Sequence, residues 1–186
     1  IHAAADLRLN APLDELRATN VQGTAHVLAL ARAAHHDHGL ARLSHVSTAY
    51  VAGRRRGAVP EAALSDADGF SSAYERTKYE GECLVQAAKS ELPVSVFRPG
   101  MIVGDSRTGA IQTFNTLYFP LRLYMTGKLR ILPVRPDMPV NLVPVDYVAQ
   151  AVVRLTLDPR AAGLNFHLVA PREALPTVRE LVTFVR

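Results

Sequence analysis

The stretch LSHVSTAYVAG, residues 43–53, decides the fold. Its first five residues are typical of a buried strand, and this strand ends at the polar pair Ser47-Thr48. A helical pattern follows from Ser72 to Lys89, with Ser71 or Ser72 as N-cap. Val94 to Arg98 is then a second strand, which Pro99-Gly100 ends. A strand, a helix and a strand in this order favour a parallel pair with a crossover helix.

The same alternation continues on both sides of this unit. A long helical pattern opens at Pro12 and runs to about His35, after a short apolar run over residues 1–5. Beyond the second strand the pattern predicts short helices within 114–125, an extended piece over 142–145, a helix from Asp146 to about Leu157, a strand over 165–169 and a helix from Thr177. Alternating helices and strands predict an α/β domain with a mainly parallel sheet.

Three side chains of this unit point to acid-base chemistry. Thr48 stands at the carboxyl end of a strand, and Tyr74 and Lys78 follow four residues apart, on one face of a helix. A phenol has a pKa of about 10, and a neighbouring ammonium group stabilises the phenolate and lowers that pKa. Tyr74 could then exchange a proton with a carbonyl oxygen that Thr48 also binds. By spacing alone, Tyr74 and Lys78 also fit an ordinary surface pair.

Composition limits the class of protein. The 186 residues carry a net charge of +4, and the basic residues are spread along the chain except for Arg54 to Arg56. This mild basicity suits an anionic small molecule or an acidic carrier better than nucleic acid. The single cysteine, Cys83, fits a reducing cytoplasm, and no apolar run is long enough for a membrane span. His35 to His38 are expected to be a solvated helix end rather than a metal site, so no metal is predicted.

Six motifs together resemble the extended short-chain dehydrogenase/reductase superfamily. They occur in the family's order, over nearly the whole chain: IHAAAD (1–6), NVQGT (20–24), HVSTAYVAG (45–53), YERTK (74–78), FRPGMIVGDSRTG (97–109) and VPVDYVAQA (143–151). The wording of the last two resembles the branch of thioester reductases and fatty acyl-CoA reductases, the male sterility branch, more than the sugar-nucleotide epimerases.

The resemblance implies a role for each matching position. Tyr74 is the catalytic acid, Lys78 lowers its pKa and holds the nicotinamide ribose, Thr48 orients the substrate carbonyl, and Asn20 supports a proton-relay water near the lysine. The other positions implied to contact the cofactor are His2, Ala3 and Ala4 beside the adenosine, and Pro99, Gly100, Met101 and Ile102 beside the nicotinamide ring.

The glycine-rich turn that holds a dinucleotide's pyrophosphate is missing from the sequence. None of the eleven glycines forms Gly-x-Gly, and no strand precedes Ile1 to carry such a turn. We therefore expect the C-terminal part of a Rossmann-type doubly wound parallel sheet with a small substrate-binding subdomain, without its N-terminal glycine-rich half. Residues 1–109 are expected to form the catalytic part of the NAD(P)-binding domain. Residues 110–186 are expected to form mainly the substrate-binding region, with returning Rossmann elements.

The resemblance implies an NAD(P)-dependent oxidoreductase. The expected reaction is NADPH-dependent reduction of an acyl thioester, bound to CoA or to an acyl carrier protein, to an aldehyde or alcohol, with NAD(H) as another possible cofactor. Two alternatives stay open: an NAD-dependent sugar-nucleotide epimerase or dehydratase, and a non-catalytic reductase-like binding module. A homodimer is possible, because family dimers often pair the helices that correspond to residues 12–35 and 72–89.

The substrate side rests on apolar and basic residues near the expected site. The apolar stretch over residues 114–125 could wall an acyl tunnel, and core packing or a membrane-surface contact would explain it equally well. Arg54 to Arg56 could meet a phosphopantetheine phosphate or an acidic carrier, or form a solvated loop. The residues expected to contact the substrate are Ala49, Tyr50, Arg107, Phe114 and Tyr118.

Overall fold

The computed structural model describes residues 1–112, 118–128 and 134–185. The strands are β1 (Leu43–Val46), β2 (Val94–Pro99), β3 (Met101–Val103), β4 (Leu142–Pro144) and β5 (Asn165–Leu168). The helices are α1 (Leu13–Arg17), α2 (Thr24–His38), α3 (Ala73–Ala87), α4 (Tyr118–Met125), α5 (Val145–Leu157) and α6 (Val178–Phe184). A π-helical turn, Ala18–Gly23, joins α1 to α2, and short 3₁₀ turns cover Ala49–Ala52, Ala88–Ser90, Pro159–Ala161 and Arg172–Ala174.

The described chain divides into two compact units. The first comprises Ile1–Pro99 and Ala151–Leu168, and the second Gly100–Gln150 and Val169–Arg186. The division after Pro99 lies ten residues before the boundary at 109 that the sequence suggested, because β2 belongs to the first sheet and β3 pairs in another.

The first unit contains a parallel sheet in the order β1-β2-β5. His2 extends this sheet on the other edge of β1, since its backbone N–H donates to Ser44 (2.8 Å) and its carbonyl accepts from Val46 (2.9 Å). The parallel sheet and the helical crossover between β1 and β2 confirm the predicted fold class.

The core of the first unit explains why the sequence alternates as it does. Leu43, Val94 and Val96 point to the same side of the sheet and pack against the apolar faces of α2 and α3. The other buried members of this cluster are Leu28, Ala31, Val85, Ala88 and Leu92. Burial of these side chains, at roughly 1.5–3 kcal/mol for each large aliphatic group, fixes the helix that carries Tyr74 and Lys78 against the strands.

The second unit has a sheet of its own. Within the described residues, β3 and β4 pair in parallel, from Met101 opposite Leu142 to Val103 opposite Pro144. Helix α6 begins at a capping box, in which the Thr177 hydroxyl accepts from the Glu180 N–H (3.2 Å) and the Glu180 carboxylate accepts from the Thr177 N–H (2.7 Å). No helix in the described ranges is long and apolar enough to cross a membrane.

Candidate active site

The first unit brings the hydroxyl groups of Thr48 and Tyr74 together. Thr48 follows β1, is buried, and caps the 3₁₀ turn Ala49–Ala52 by accepting from the backbone N–H of Tyr50 at 3.3 Å. Tyr74 lies in the first turn of α3, which starts where Ser72 accepts from the Glu75 N–H. The Thr48 side chain is close enough to Tyr74 to lower the pKa of its phenol, against the larger effect of burial. The two caps therefore place both hydroxyl groups at the carboxyl end of the strands, where open parallel sheets bind ligands.

The environment of Tyr74 keeps its phenol protonated. Burial raises the pKa of Tyr74, the nearby Thr48 side chain opposes that rise, and Tyr50 and Glu75 add to it electrostatically. The family resemblance implies that Lys78 lowers this pKa, but the pKa of Tyr74 is raised. The reason is that Tyr74 loses water on folding, which disfavours the phenolate.

Lys78 is buried one turn along α3 from Tyr74, with 5% of its surface exposed. Its Nζ atom donates to the carbonyl oxygen of Val46, the last residue of β1, at 3.1 Å. Burial lowers the pKa of Lys78 to about 8, while the negative charge of Glu82 opposes this shift. Lys78 therefore remains largely cationic at neutral pH, and it loses its charge as the pH rises through about 8.

Asn20 is buried in the π-helical turn and packs against α3. Its side chain accepts from the Asp6 N–H (2.8 Å) and donates to the Asp6 carbonyl (3.0 Å) and to the Thr77 hydroxyl (3.1 Å). Its backbone carbonyl lies so close to Gly81 that a β-carbon there would overlap it. Asn20 is therefore fixed beside Thr77 and Gly81, which flank Lys78 on α3.

His2 lies at the opposite side of β1 from β2 and contacts the same helical turn. Its Nε2 atom is 3.2 Å from the Thr24 hydroxyl, and Lys78 is close enough to lower the pKa of His2, although burial is the larger cause. Ala3 and Ala4 follow as exposed residues. The His2 ring also contacts the ring of His45, with centroids 5.2 Å apart. His45 is buried, and burial lowers its pKa well below the usual value.

The remaining predicted positions divide between the two units. Pro99 ends β2 in the first unit and pairs with Leu168. In the second unit, Gly100 is buried where a side chain would overlap Asn141, whose carbonyl accepts from the Met101 N–H at 2.9 Å. Met101 and Ile102 are half-buried in β3.

Of the predicted substrate residues, Ala49 and Tyr50 lie in the turn that Thr48 caps, beside Tyr74, and Tyr50 is 39% exposed. Arg107 is exposed in a turn held by the Asp105 carboxylate, and the Tyr118 hydroxyl accepts from the Gly104 N–H at 3.2 Å, both in the second unit. Phe114 lies outside the described residues.

Sequence reasoning missed two buried threonines that shape the site. Thr77 is fully buried, donates to the Tyr74 carbonyl (3.1 Å) and accepts from Asn20, so it links α3 to the π-helical turn. Thr24 donates to the Asn20 carbonyl at 2.8 Å. Both threonines stand inside the quoted motifs, at the fourth position of YERTK and the last of NVQGT. Their bonds to Tyr74 and to the Asn20 carbonyl are local helix bonds, but the contacts of Thr77 with Asn20 and of Thr24 with His2 join residues too distant in sequence to be inferred. Across the three described ranges, no group of three or more His, Cys, Asp or Glu residues is arranged to hold a metal ion.

A family model and two curated relatives each match most of this chain. The sequence model of the family described as "Male sterility protein", an NAD-binding family, matches residues 1–152. The nonribosomal peptide synthetase asaC of Aspergillus flavus is 32% identical over 179 residues, covering 90% of this chain and 17% of the relative. The glycine betaine reductase ATRR of Emericella nidulans is 31% identical, covering 92% of this chain and 13% of the relative.

A solved structure agrees with these relatives. The terminal R domain from the myxalamid PKS-NRPS biosynthetic pathway matches with a TM-score of 0.82 and 31% identity, covering 98% of this chain and 45% of that one. The chain thus spans less than a fifth of the two curated relatives and under half of the solved domain. The chain belongs to the male sterility family of NAD-binding domains, in the extended short-chain dehydrogenase/reductase superfamily of NAD(P)-dependent oxidoreductases.

Proposed function

We propose that this chain carries the catalytic residues of an NADPH-dependent reductase that acts on an acyl thioester held by a carrier protein. The observation that carries the proposal is the closeness of the Thr48 side chain to Tyr74, near enough to act on the pKa of the phenol, one helical turn from the buried ammonium group of Lys78. A carbonyl oxygen placed between the two hydroxyl groups would receive two hydrogen bonds. Reduction builds negative charge on this oxygen, and donors fixed in advance stabilise that charge.

Tyr74 is suited to the role of general acid in this reaction. A group that gives up a proton must hold one at the working pH, and the raised pKa of Tyr74 ensures this. Thr48 has one hydroxyl proton, and its oxygen already accepts from the Tyr50 N–H. Its own proton is therefore available to a substrate oxygen.

Lys78 fits the nicotinamide ribose. An ammonium group has three N–H donors, and among the described residues Val46 accepts one of them, which leaves two for the hydroxyl groups of a ribose. His2, Ala3 and Ala4 would pass the adenosine part, and Pro99 to Ile102 the nicotinamide part, as the family resemblance implies. When bound, the dinucleotide supplies the hydride, so this chain's residues contribute placement and the proton.

The choice of a carrier-bound thioester is supported by the relatives. One of them is named a nonribosomal peptide synthetase, another a glycine betaine reductase, and the solved domain is a terminal R domain of a PKS-NRPS pathway. Acyl-CoA is the closest alternative substrate because the thioester is the same. The substrate contacts of Ala49, Tyr50, Arg107, Phe114 and Tyr118, the cytoplasmic location and the homodimer stay predictions.

The test is NADPH oxidation by the protein at its full natural length, supplied in parallel with an acyl thioester on a carrier protein, the same acyl group on CoA, and a sugar nucleotide. We expect turnover of the carrier thioester and a fall in kcat of about 10²–10⁴-fold in Tyr74→Phe, the usual contribution of a general acid. Tyr147→Phe, at an exposed position of α5, is the matched control and should keep full activity.

Each other outcome rejects part of the proposal. Turnover of acyl-CoA alone would identify acyl-CoA as the substrate and reject the carrier-bound thioester. Turnover of the sugar nucleotide alone would assign the chain to the epimerase and dehydratase class. NADPH binding without turnover of any of the three would leave a binding module.

A further inference from the structure

His2 heads a chain of hydrogen bonds that ends at the Asn20 carbonyl. The Nε2 atom of His2 is 3.2 Å from the Thr24 hydroxyl oxygen, and this hydroxyl donates to the Asn20 carbonyl oxygen at 2.8 Å. Thr24 is buried with 2% of its surface exposed, and Asn20 with 3%. The three residues come from separate elements, the strand extension at residue 2, the start of α2 and the π-helical turn.

The direction of each bond in this chain is fixed by chemistry. A hydroxyl group has one proton, and a carbonyl oxygen can only accept. Because Thr24 gives its proton to Asn20, it must accept from His2. The Nε2 atom of His2 therefore carries a proton, and Nδ1 is the nitrogen that gains a proton when His2 becomes charged.

The end of the chain lies against the catalytic helix. π-Helical turns break the regular hydrogen-bonding pattern of a helix and often occur at functional sites. Here the Asn20 carbonyl packs against Gly81, while the Asn20 side chain binds Thr77. Thr77 and Gly81 stand on either side of Lys78 in α3, so the carbonyl is fixed beside the turn that carries the lysine.

We propose that His2 is a positioning residue, which acts through Thr24 to hold the Asn20 carbonyl in place for proton transfer near Lys78. This inference rests on the proposed function and on the role near Lys78 that the family resemblance implies for Asn20. His2 is thereby given a role toward the protein's own π-helical turn, separate from its expected position beside the adenosine.

The environment of His2 favours its neutral form, and the neutral ring can donate to Thr24 through Nε2. The titratable side chains that act on the His2 ring are Lys78 from α3 and His45 from β1. Burial and the positive charge of Lys78 both lower the pKa of His2 and of His45. Both histidines therefore stay neutral at neutral pH, and Lys78 is the cation of this cluster.

The first test measures the protonation state of His2 by ¹⁵N NMR of the histidine rings, in the full-length protein without added cofactor. We expect His2 to carry its proton on Nε2 and to titrate below the usual pKa of a histidine. In Thr24→Val the preference for Nε2 should weaken, because the acceptor is gone. A proton on Nδ1 of His2, or shifts that Thr24→Val leaves unchanged, would overturn the inference.

The second test is kinetic and compares Thr24→Val with Thr24→Ser. We expect Thr24→Val to lower kcat by about threefold to tenfold, the size of one lost hydrogen bond, with the KM for NADPH unchanged. Thr24→Ser should restore kcat because it keeps the hydroxyl group. In the same way, kcat should be higher in His2→Gln, which retains an N–H donor, than in His2→Phe.

The outcomes separate this inference from the proposed function. Equal kcat in folded Thr24→Val and Thr24→Ser would reject the positioning role, even if His2→Phe proved too unstable to assay. Full activity of Tyr74→Phe would reject the proposed function instead, and the NMR result would still decide whether His2 donates to Thr24.

Discussion

The ammonium group of Lys78 donates a hydrogen bond to the carbonyl oxygen of Val46 at 3.1 Å, so that α3 is tied to the last residue of β1. The bond fixes the orientation of the lysine side chain, and its acceptor Val46 lies two residues before Thr48. It does not fully compensate the loss of water around the charge, because the pKa of Lys78 falls to about 8. The protein therefore holds a buried cation at a cost in stability.

This cost predicts that replacing Lys78 stabilises the protein. The lysine binds its proton less tightly in the folded state than in the unfolded state, so the unfavourable contribution is complete below pH 8 and disappears as the pH rises toward the unfolded pKa of 10.5. A shift from 10.5 to about 8 corresponds to roughly 3 kcal/mol. We expect Lys78→Met to raise the free energy of unfolding at pH 7 by up to that amount, less the lost bond to Val46.

Urea unfolding between pH 6 and about 9.5 checks this prediction. The wild type should gain stability as the pH rises above 8, and Lys78→Met should show no such gain. Lys128→Met, at an exposed lysine, should follow the wild type. A Lys78→Met variant that is less stable than the wild type across the whole range would contradict the prediction.

Gly81 and Gly23 should respond in opposite ways to alanine. A β-carbon at Gly81 would overlap the Asn20 carbonyl oxygen, whereas at Gly23 the nearest atom is 3.8 Å away and the residue has helical backbone angles. We expect Gly81→Ala to lose about 1–3 kcal/mol of stability through overpacking. Gly23→Ala should gain up to about 1 kcal/mol, because alanine restricts the unfolded chain. Thermal unfolding of both variants measures the contrast, and equal shifts would reject the close contact.

Most of the first unit could be predicted from the sequence, because its strands and helices have strong local patterns. β1, α3 and β2 begin and end within two residues of their predicted limits, since Ser72 caps the helix and Pro99-Gly100 ends the strand. β3 was missed. Its first residue directly follows Gly100, and what makes Met101 part of a strand is pairing with Leu142, some forty residues away.

The site was predictable in its residues but less so in its electrostatics. Thr48, Tyr74 and Asn20 lie in recognisable motifs, and helical spacing alone places Lys78 one turn from Tyr74. Spacing cannot report burial, and burial is what raises the pKa of Tyr74 against the expected direction. The π-helical turn was likewise hidden, because residues 18–23 have the pattern of an ordinary helix that continues into α2.

Arg98 should be essential for stability because it forms a fully buried ion pair. Its guanidinium binds the Glu82 carboxylate at 2.6 Å and also donates to the carbonyl groups of Pro60 and Ala62, which tie the loop before α3 to β2. We expect Arg98→Met to cost about 3–5 kcal/mol, since it leaves Glu82 buried without its partner.

The double variant Arg98→Met/Glu82→Leu separates charge from packing. If the unpaired carboxylate causes the loss, the double variant should be more stable than Arg98→Met in denaturant unfolding. The single variant Glu82→Leu is measured as well. If the double variant loses as much stability as Arg98→Met and Glu82→Leu lose together, the ion pair itself is not the cause.

Lys78 should set the alkaline limit of catalysis. The proposed reaction needs a cationic Lys78 and a protonated Tyr74, and of these two groups Lys78 loses its proton first, at a pKa of about 8, because the pKa of Tyr74 is raised. The pH dependence of kcat/KM reports the groups of the free enzyme, so kcat/KM for thioester reduction should decline as the pH rises through about 8. In Lys78→Arg the side chain keeps its charge at every accessible pH, and the decline should move to higher pH even if the absolute rate is lower. Steady-state kinetics from pH 6 to 10 on both proteins test this, and a decline at the same pH in Lys78→Arg would assign it to a different group.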